Sequence, residues 1–290
     1  MKDLIGDLTR EARFARTEPY QRVAYVCGGL LLLSAIFHGV VFFVDGGPWE
    51  GPISWRKPIL FGFSFGITLV TLAWVVTFLN LRKLTGWIAL GVLSLAGLGE
   101  VGLITMQKWR GVESHFNEST KFDSAVFGMM GFLVSLMGLV IAFVAVRAFI
   151  KLDATPSLAW AIRLGLLLLL VSQGVGVSMI IQGGNTFGAA GPIKVPHAVT
   201  LHAAQVLPAL ALLLRLSEMP DERRVRIVII AAIGYAGLIA ATFMQTYSGR
   251  GTLDIGLASS VVALTGLTLL TTSGLFALQG IRARLAGPSF

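Results

Sequence analysis

Eight apolar stretches, each long enough to cross a lipid bilayer, restrict what this sequence can fold into more than any other feature. Crossing the hydrocarbon core takes roughly 20 apolar residues in a helix, because only a helix or a closed barrel satisfies its own backbone hydrogen bonds there. The sequence therefore predicts an all-α integral membrane protein of eight transmembrane helices. They are expected at about 22–45, 56–79, 86–107, 123–148, 158–183, 196–216, 225–247 and 255–280.

The composition agrees with a chain whose solvent is lipid. Of its 290 residues, 55% are hydrophobic and only 13% are charged, with a mean hydropathy of +0.79. The net charge of +8 does not indicate nucleic-acid binding, because the basic residues lie in short segments between apolar runs. The single cysteine, Cys27, excludes an internal disulfide and a cysteine-based metal cage.

The distribution of Lys and Arg predicts the orientation of the chain. Most of the 23 basic residues lie at the two ends and in the segments near residue 82, at 147–163 and at 215–226. Because basic segments stay in the cytoplasm, we expect both termini inside a bacterial-type inner (plasma) membrane. A cytoplasmic N-terminal segment, 1–21, and a cytoplasmic tail, 282–290, then flank the eight spans.

The chain also repeats itself. The segment FFVDGGPWEGPISWRKP after the first span resembles MIIQGGNTFGAAGPIKVP after the fifth, and the offset of the two is about 137 residues. Further on, Gln107 followed by Arg110 recurs as Gln245 followed by Arg250. We therefore expect two tandem four-helix repeats, 22–150 and 151–281. An even number of spans in each implies a pseudo-two-fold axis along the membrane normal.

Basic residues on the predicted outer side run against the topological bias. Arg56, Lys57, Arg110 and Arg250 all lie at or beside outer helix ends, where a cation can hold a carboxylate or a phosphate. They predict an anionic small molecule, cofactor or lipid head group as the guest of this face, although snorkelling to lipid phosphates is the plain alternative. The duplicated Gln107 and Gln245 are expected at the rim of such a site or in its scaffold.

Three ionisable residues inside the spans share one calculated depth. His38, Glu100 and His202 each lie six or seven residues below an outer helix end, which is about 10 Å at 1.5 Å per residue. An unpaired ionisable group in hydrocarbon costs several kcal/mol, so we expect the three to face one cavity. Gln205 lies on nearly the same helix face as His202.

Candidate roles follow from residue type. His38, His202 and His197 could ligate a haem or a transition metal; His197 follows a proline at a helix start, where the helix dipole favours a neutral imidazole. With two four-helix halves and histidines toward the outer side, the chain is similar in plan to haem A synthase. That resemblance implies a haem-binding or redox function, although the fourth and eighth spans contain no histidine.

Two other functions stay open. The protein could transport or flip an anionic solute or lipid, with Glu100 as a proton-coupled gate. It could also be a membrane enzyme acting on an outer-leaflet or periplasmic substrate, with His115 or His197 as base and Glu100 as its partner. The sequence has no Walker A loop, HExxH, G-x-S-x-G or Cys-x-x-Cys motif, so no standard catalytic motif selects among the three.

Overall fold

The computed structural model describes Gly6 and residues 17–286. Within them, eight helices are long and apolar enough to cross a membrane, which confirms the predicted multi-pass α-helical membrane protein. The predicted terminal segments 1–21 and 282–290 lie partly outside the described residues. The helices are α1 Pro19–Asp45, α2 Arg56–Val76, α3 Lys83–Trp109, α4 Lys121–Ile150, α5 Pro156–Gln182, α6 Lys194–Leu201 with α7 Ala203–Arg215 as one span, α8 Asp221–Tyr247 and α9 Leu257–Ala286.

The chain divides into two compact units. The N-terminal unit, Thr17–Val144, contains α1 to α3 and most of α4, and the C-terminal unit begins at Ala145 and contains α5 to α9. The tandem repeat and the domain boundary at 150/151 stay predictions.

Glycines let α1 and α2 of the N-terminal unit touch backbone to backbone. A Cβ on Gly66 would lie 2.9 Å from the carbonyl oxygen of Gly28, and one on Gly62 would lie 3.0 Å from that of Leu31. Small residues at a crossing replace the hydrophobic driving force that lipid cannot supply between membrane helices. The pair therefore forms a tightly packed wall of the unit.

The third helix of the N-terminal unit carries a buried stripe at helical spacing. Leu90, Leu93, Gly97, Glu100 and Ile104 recur every three or four residues and are all buried. Such a stripe marks the face of a helix that packs against its neighbours. Glu100 falls on this stripe, so the fold turns its carboxyl toward protein and away from lipid.

In the C-terminal unit, the sixth span is interrupted at His202, which the sequence pattern of one continuous helix over 196–216 did not indicate. The hydroxyl of Tyr235 on α8 donates to the carbonyl oxygen of Val199 at 2.7 Å, and Pro208 lies inside α7. A proline removes one backbone donor from the helix, here the donor for the carbonyl of residue 204, so the hydrogen-bond ladder of this span is altered at residue 204 and at Val199, on either side of His202. A short hairpin, β1 Thr186–Phe187 and β2 Gly191–Pro192, precedes the span.

Candidate functional site

The structure brings two of the predicted site residues together in the N-terminal unit. Glu100 on α3 is 1% exposed, and His115 lies in the loop between α3 and α4. Nε2 of His115 is 3.9 Å from Oε1 of Glu100, which is within ion-pair distance once the ring carries a proton. The other carboxyl oxygen of Glu100, Oε2, is buried without a hydrogen-bond partner.

Two further polar groups extend this pair along the loop. The hydroxyl of Ser114 lies 2.9 Å from Nδ1 of His115, and the ammonium of Lys57, near the start of α2, donates to the same hydroxyl at 3.5 Å. The ring of Phe61 lies 5.2 Å from the imidazole, centroid to centroid. Polar groups therefore follow one another from the Lys57 ammonium through Ser114 and His115 to the buried carboxyl, with the last separation at 3.9 Å.

The surroundings of His115 favour its neutral form. Burial lowers the pKa of His115 first, and the positive charge of Lys57 lowers it further, to about 4. At neutral pH the imidazole is therefore uncharged and presents one N–H and one lone pair. A buried carboxyl beside a neutral imidazole has no counter-charge, so the proton-bound form of Glu100 is the favoured one.

A second polar cluster lies around Asp123 in the first turn of α4. Its Oδ1 accepts from the amide of Gln107 at 2.8 Å and from the guanidinium of Arg110 at 2.7 Å. Its Oδ2 accepts from the hydroxyl of Thr120 at 2.6 Å. Arg110 also donates to the side-chain oxygen of Gln107. Two residues expected at the rim of an anion site thus share a carboxylate of the chain itself.

Sequence reasoning missed Asp123 and Ser114 as members of the site. The signal for Asp123 was present, because a Thr three residues before an acidic residue is a helix-capping pattern, and the Asp123 amide does donate to the Thr120 hydroxyl at 3.1 Å. No comparable signal marked Ser114. Its place depends on the loop conformation, which no local pattern encodes.

The imidazole of His38 uses both of its nitrogens within the protein. Nδ1 donates to the carbonyl oxygen of Ser34 at 2.7 Å, and Nε2 accepts from the indole N–H of Trp109 at 3.2 Å. Metal ligation requires a free imidazole lone pair, and this arrangement offers none at His38. Within the described residues, no hydrogen bond or ion pair joins His38 to Glu100.

The histidines of the C-terminal unit are held through Nδ1. His197 donates from Nδ1 to the carbonyl oxygen of Ser172 at 2.9 Å, and the Ser172 hydroxyl donates back to the His197 carbonyl at 2.9 Å. His202 donates from Nδ1 to the side-chain oxygen of Gln205 at 3.3 Å. This leaves Nε2 as the acceptor nitrogen of both rings, which is the tautomer that metal-ligating histidines commonly show.

Two predicted groupings of the ionisable residues are a metal cluster and a cavity that His38, Glu100 and His202 share. Across Gly6 and residues 17–286, no group of three or more His, Cys, Asp or Glu side chains could hold a metal ion together. The expected meeting of His202 with His38 and Glu100 involves both units and stays a prediction.

The remaining predicted residues lie near helix ends. Arg56 pairs with Glu50 at 2.6 Å, and Arg250 lies 4.0 Å from Asp254. The amide of Gln245 donates to the carbonyl oxygen of Gly251 at 2.9 Å and to that of Asp254. Both arginines therefore have a carboxylate of the chain within ion-pair distance.

No protein-family model, no curated protein and no solved structure matches the chain.

Proposed function

We propose that the protein is a proton-coupled membrane transporter in which Glu100 and His115 hold and pass the coupling proton. The observation that carries this proposal is a fully buried carboxyl in a transmembrane helix, 3.9 Å from the imidazole of a loop residue and with one oxygen lacking a partner. Glu and His placed in series within a membrane are the usual elements of proton relays.

The proton balance of one transfer is simple. A proton reaches Nδ1 of His115 through the hydroxyl of Ser114. The ring then gives its Nε2 proton to a carboxylate oxygen of Glu100, either through one water or after the 3.9 Å between the two atoms closes to hydrogen-bond distance. The imidazole is neutral before and after the transfer, and the carboxylate becomes a carboxylic acid. Because burial and the Lys57 charge lower the pKa of His115 to about 4, the ring passes a proton on and does not retain it.

An anionic solute is the cargo class that this relay suits. Carrying one proton with one negative charge moves no net charge into the hydrocarbon, where an uncompensated charge is costly. Lys57 supplies positive charge beside the relay, and Lys108 lies 4.1 Å over the ring of Trp55 near the same helix ends. Arg56 and Arg110 pair with carboxylates of the chain.

The test is proton uptake by purified protein in liposomes that contain a pH-sensitive dye. A panel of small organic anions and inorganic phosphate is added outside under an inward proton gradient. We expect at least one anion to accelerate acidification with wild-type protein, and Glu100→Gln to abolish that acceleration. Glu118→Gln, in the same loop but exposed, is the matched control. Equal acidification by wild-type protein and Glu100→Gln would reject the proposal.

A second function, an enzyme with a serine nucleophile, has one observation in its favour. The Ser114 hydroxyl lies 2.9 Å from Nδ1 of His115, and the opposite nitrogen faces Glu100, which is the order nucleophile, base, acid. Transfer of the Ser114 proton to His115 would accompany attack on an ester carbonyl. A fluorophosphonate probe that labels wild-type protein but not Ser114→Ala would favour the enzyme, and an unlabelled wild-type protein would leave the transporter.

We also propose that the two halves descend from one duplicated four-helix unit. The four spans of the first half have 27, 21, 27 and 30 residues, and those of the second have 27, 22, 27 and 30. In both halves a glutamine near the end of the third span donates to the backbone carbonyl six residues on: Gln107 to Glu113 and Gln245 to Gly251. Matched lengths and a matched contact support a common origin.

The location of the termini remains a proposal that rests on the basic residues. Their bias places both ends of the chain in the cytoplasm of a bacterial-type inner membrane. A reporter fused after Phe290 that is active only in the periplasm would contradict it.

A further inference from the structure

The loop that carries His115 is attached at both of its sides to one carboxylate. On one side, the Glu113 carbonyl oxygen accepts from the Gln107 amide at 3.4 Å, and that amide also donates to Asp123. On the other side, the hydroxyl of Ser119 donates to the side-chain oxygen of Asn117 at 2.7 Å and lies 3.4 Å from Oδ2 of Asp123. The three residues between, 114–116, include the imidazole.

A hydrogen bond inside the loop joins its two sides. The side-chain amide of Asn117 donates to the Glu113 carbonyl oxygen at 3.0 Å, so the two residues that flank 114–116 are joined to each other. Asn117 is itself buried. The buried members of this network, Gln107, Asn117 and Asp123, favour one conformation of the loop, because each bond that they lose leaves a buried group unsatisfied.

The segment 114–116 contains a strained backbone conformation at Phe116. Phe116 has φ of 57°, in the left-handed region that residues other than glycine rarely adopt because it is strained for them. Its ring packs 5.1 Å from that of Phe127 on α4. Such strain persists only where the surrounding contacts determine the geometry, and here it turns the neighbouring His115 toward Glu100.

We infer that Asp123 is a positioning residue, which fixes the loop so that the imidazole of His115 stays over the carboxyl of Glu100. The carboxylate does not touch the ring, and it acts through Gln107, Arg110 and Ser119. Asp123 is 2% exposed, although its charge would be cheaper in water at this helix end. This inference deepens the proposed function and rests on the His115–Glu100 pair.

The aspartate that follows the third span of the C-terminal unit gives the matched comparison. The side chain of Asp254 is 68% exposed and lies 4.0 Å from Arg250, whereas the backbone carbonyl of Asp254 accepts from Gln245. The amide of Gln245 therefore donates to backbone carbonyl oxygens, and its side-chain oxygen accepts from the Ser259 hydroxyl. The aspartate at this place in the C-terminal unit is thus exposed, so the burial of Asp123 goes with the loop that carries His115.

The experiment follows the titration of His115 by NMR in full-length protein labelled with ¹⁵N-histidine and held in lipid nanodiscs. The chain has four histidines, and His115→Gln identifies the signal. The charged groups that face His115 are Glu100 and Lys57, and neither is changed. In Asp123→Ala we expect the titration midpoint to rise from about 4 toward 6.5, the ordinary value, because the released ring becomes solvated.

Two controls make the result decisive. Asp254→Ala should leave the His115 midpoint in place. If Asp123→Ala does not fold, Asp123→Asn replaces it in the experiment. This variant keeps the shape of the side chain and should raise the midpoint by a smaller amount. An unchanged midpoint in the folded Asp123 variants, or an equal rise in Asp254→Ala, overturns the inference. The liposome assay with Glu100→Gln tests the proposed function separately, because the titration reports the position of the ring and not transport.

Discussion

Nε2 of His115 lies 3.9 Å from Oε1 of Glu100, so a loop side chain reaches a carboxyl that is buried in a transmembrane helix. The sequence suggests the two residues on separate grounds. Glu100 is a carboxyl that is costly to bury in hydrocarbon, and His115 is a loop residue that could act as a base. The contact also gives Glu100 its single titratable neighbour among the described ion pairs. The pair is therefore the place at which changes of protonation should be measured first.

Glu100 should hold a proton at neutral pH. Its buried carboxyl faces a neutral imidazole and has one oxygen without a hydrogen-bond partner, and a bare carboxylate there would be costly. We expect infrared spectra of wild-type protein to show the C=O stretch of a protonated carboxyl, and Glu100→Gln to lack it. Glu118→Gln should retain the band, because Glu118 is exposed. The same band in Glu100→Gln would contradict this assignment.

The stability of the protein should depend on pH through His115. The imidazole titrates near 6.5 in the unfolded chain and at about 4 in the folded one. Between these values the unfolded state binds more protons, so the free energy of unfolding falls as the pH drops from 6.5 toward 4, and below 4 this group adds no further loss.

Replacing the ring should remove that dependence. In His115→Gln we expect the melting temperature in detergent to fall less than that of wild-type protein across this window, while the two proteins differ by a constant amount above it. If the melting temperatures of wild-type protein and His115→Gln fall by equal amounts between pH 6.5 and 4, the group does not titrate as described.

The spans could be predicted from the sequence because the length of an apolar run is a local property. Glu100 could be selected for the same reason, since a carboxyl in such a run is conspicuous. Rotation about a helix axis is not local, so equal depth did not reveal that His38 turns to Trp109 while Glu100 turns to His115. The depth of a residue in the membrane follows from its position along the helix. The direction in which its side chain points depends on the packing of the whole unit.

Loop conformation was also beyond local patterns. Phe116 has a positive φ that no turn residue signals, and its neighbour Ser114 enters the site only through that turn. The interruption of the sixth span at His202 has a similar origin. Pro208 is visible in the sequence, yet the Val199 carbonyl is taken by Tyr235 from another helix, and that partner can be known only from the fold.

The contact of α1 with α2 should tolerate no side chain at Gly66. A Cβ there would lie 2.9 Å from the Gly28 carbonyl oxygen and 2.8 Å from Leu32, so the helices would have to separate. We expect Gly66→Val to lower the free energy of unfolding by about 1–3 kcal/mol, the usual cost of overpacking. Gly29→Val, on the same helix pair but with no atom within 4 Å of its Cβ position, is the control. Equal melting temperatures for the two variants would show that the close approach is not required.

The haem hypothesis can be stated more sharply from the hydrogen bonds of the histidines. His38 engages both ring nitrogens, whereas His197 and His202 are held through Nδ1 and keep Nε2 as an acceptor. An axial ligand to haem iron needs such a nitrogen. If the protein binds haem, the ligands should therefore come from the C-terminal unit.

Absorbance of purified protein tests that statement. Protein made in haem-supplied cells should show the intense violet band of haem, and His197→Ala combined with His202→Ala should abolish it, because no histidine remains in that unit. His38→Gln should keep the band, since its Nε2 already accepts from Trp109. A band that survives the double variant but vanishes in His38→Gln would mean that the Trp109 bond opens on binding and would place the ligand in the N-terminal unit. A colourless wild-type protein under these conditions would end the haem hypothesis and leave proton transfer through Glu100 as the chemistry of the polar residues.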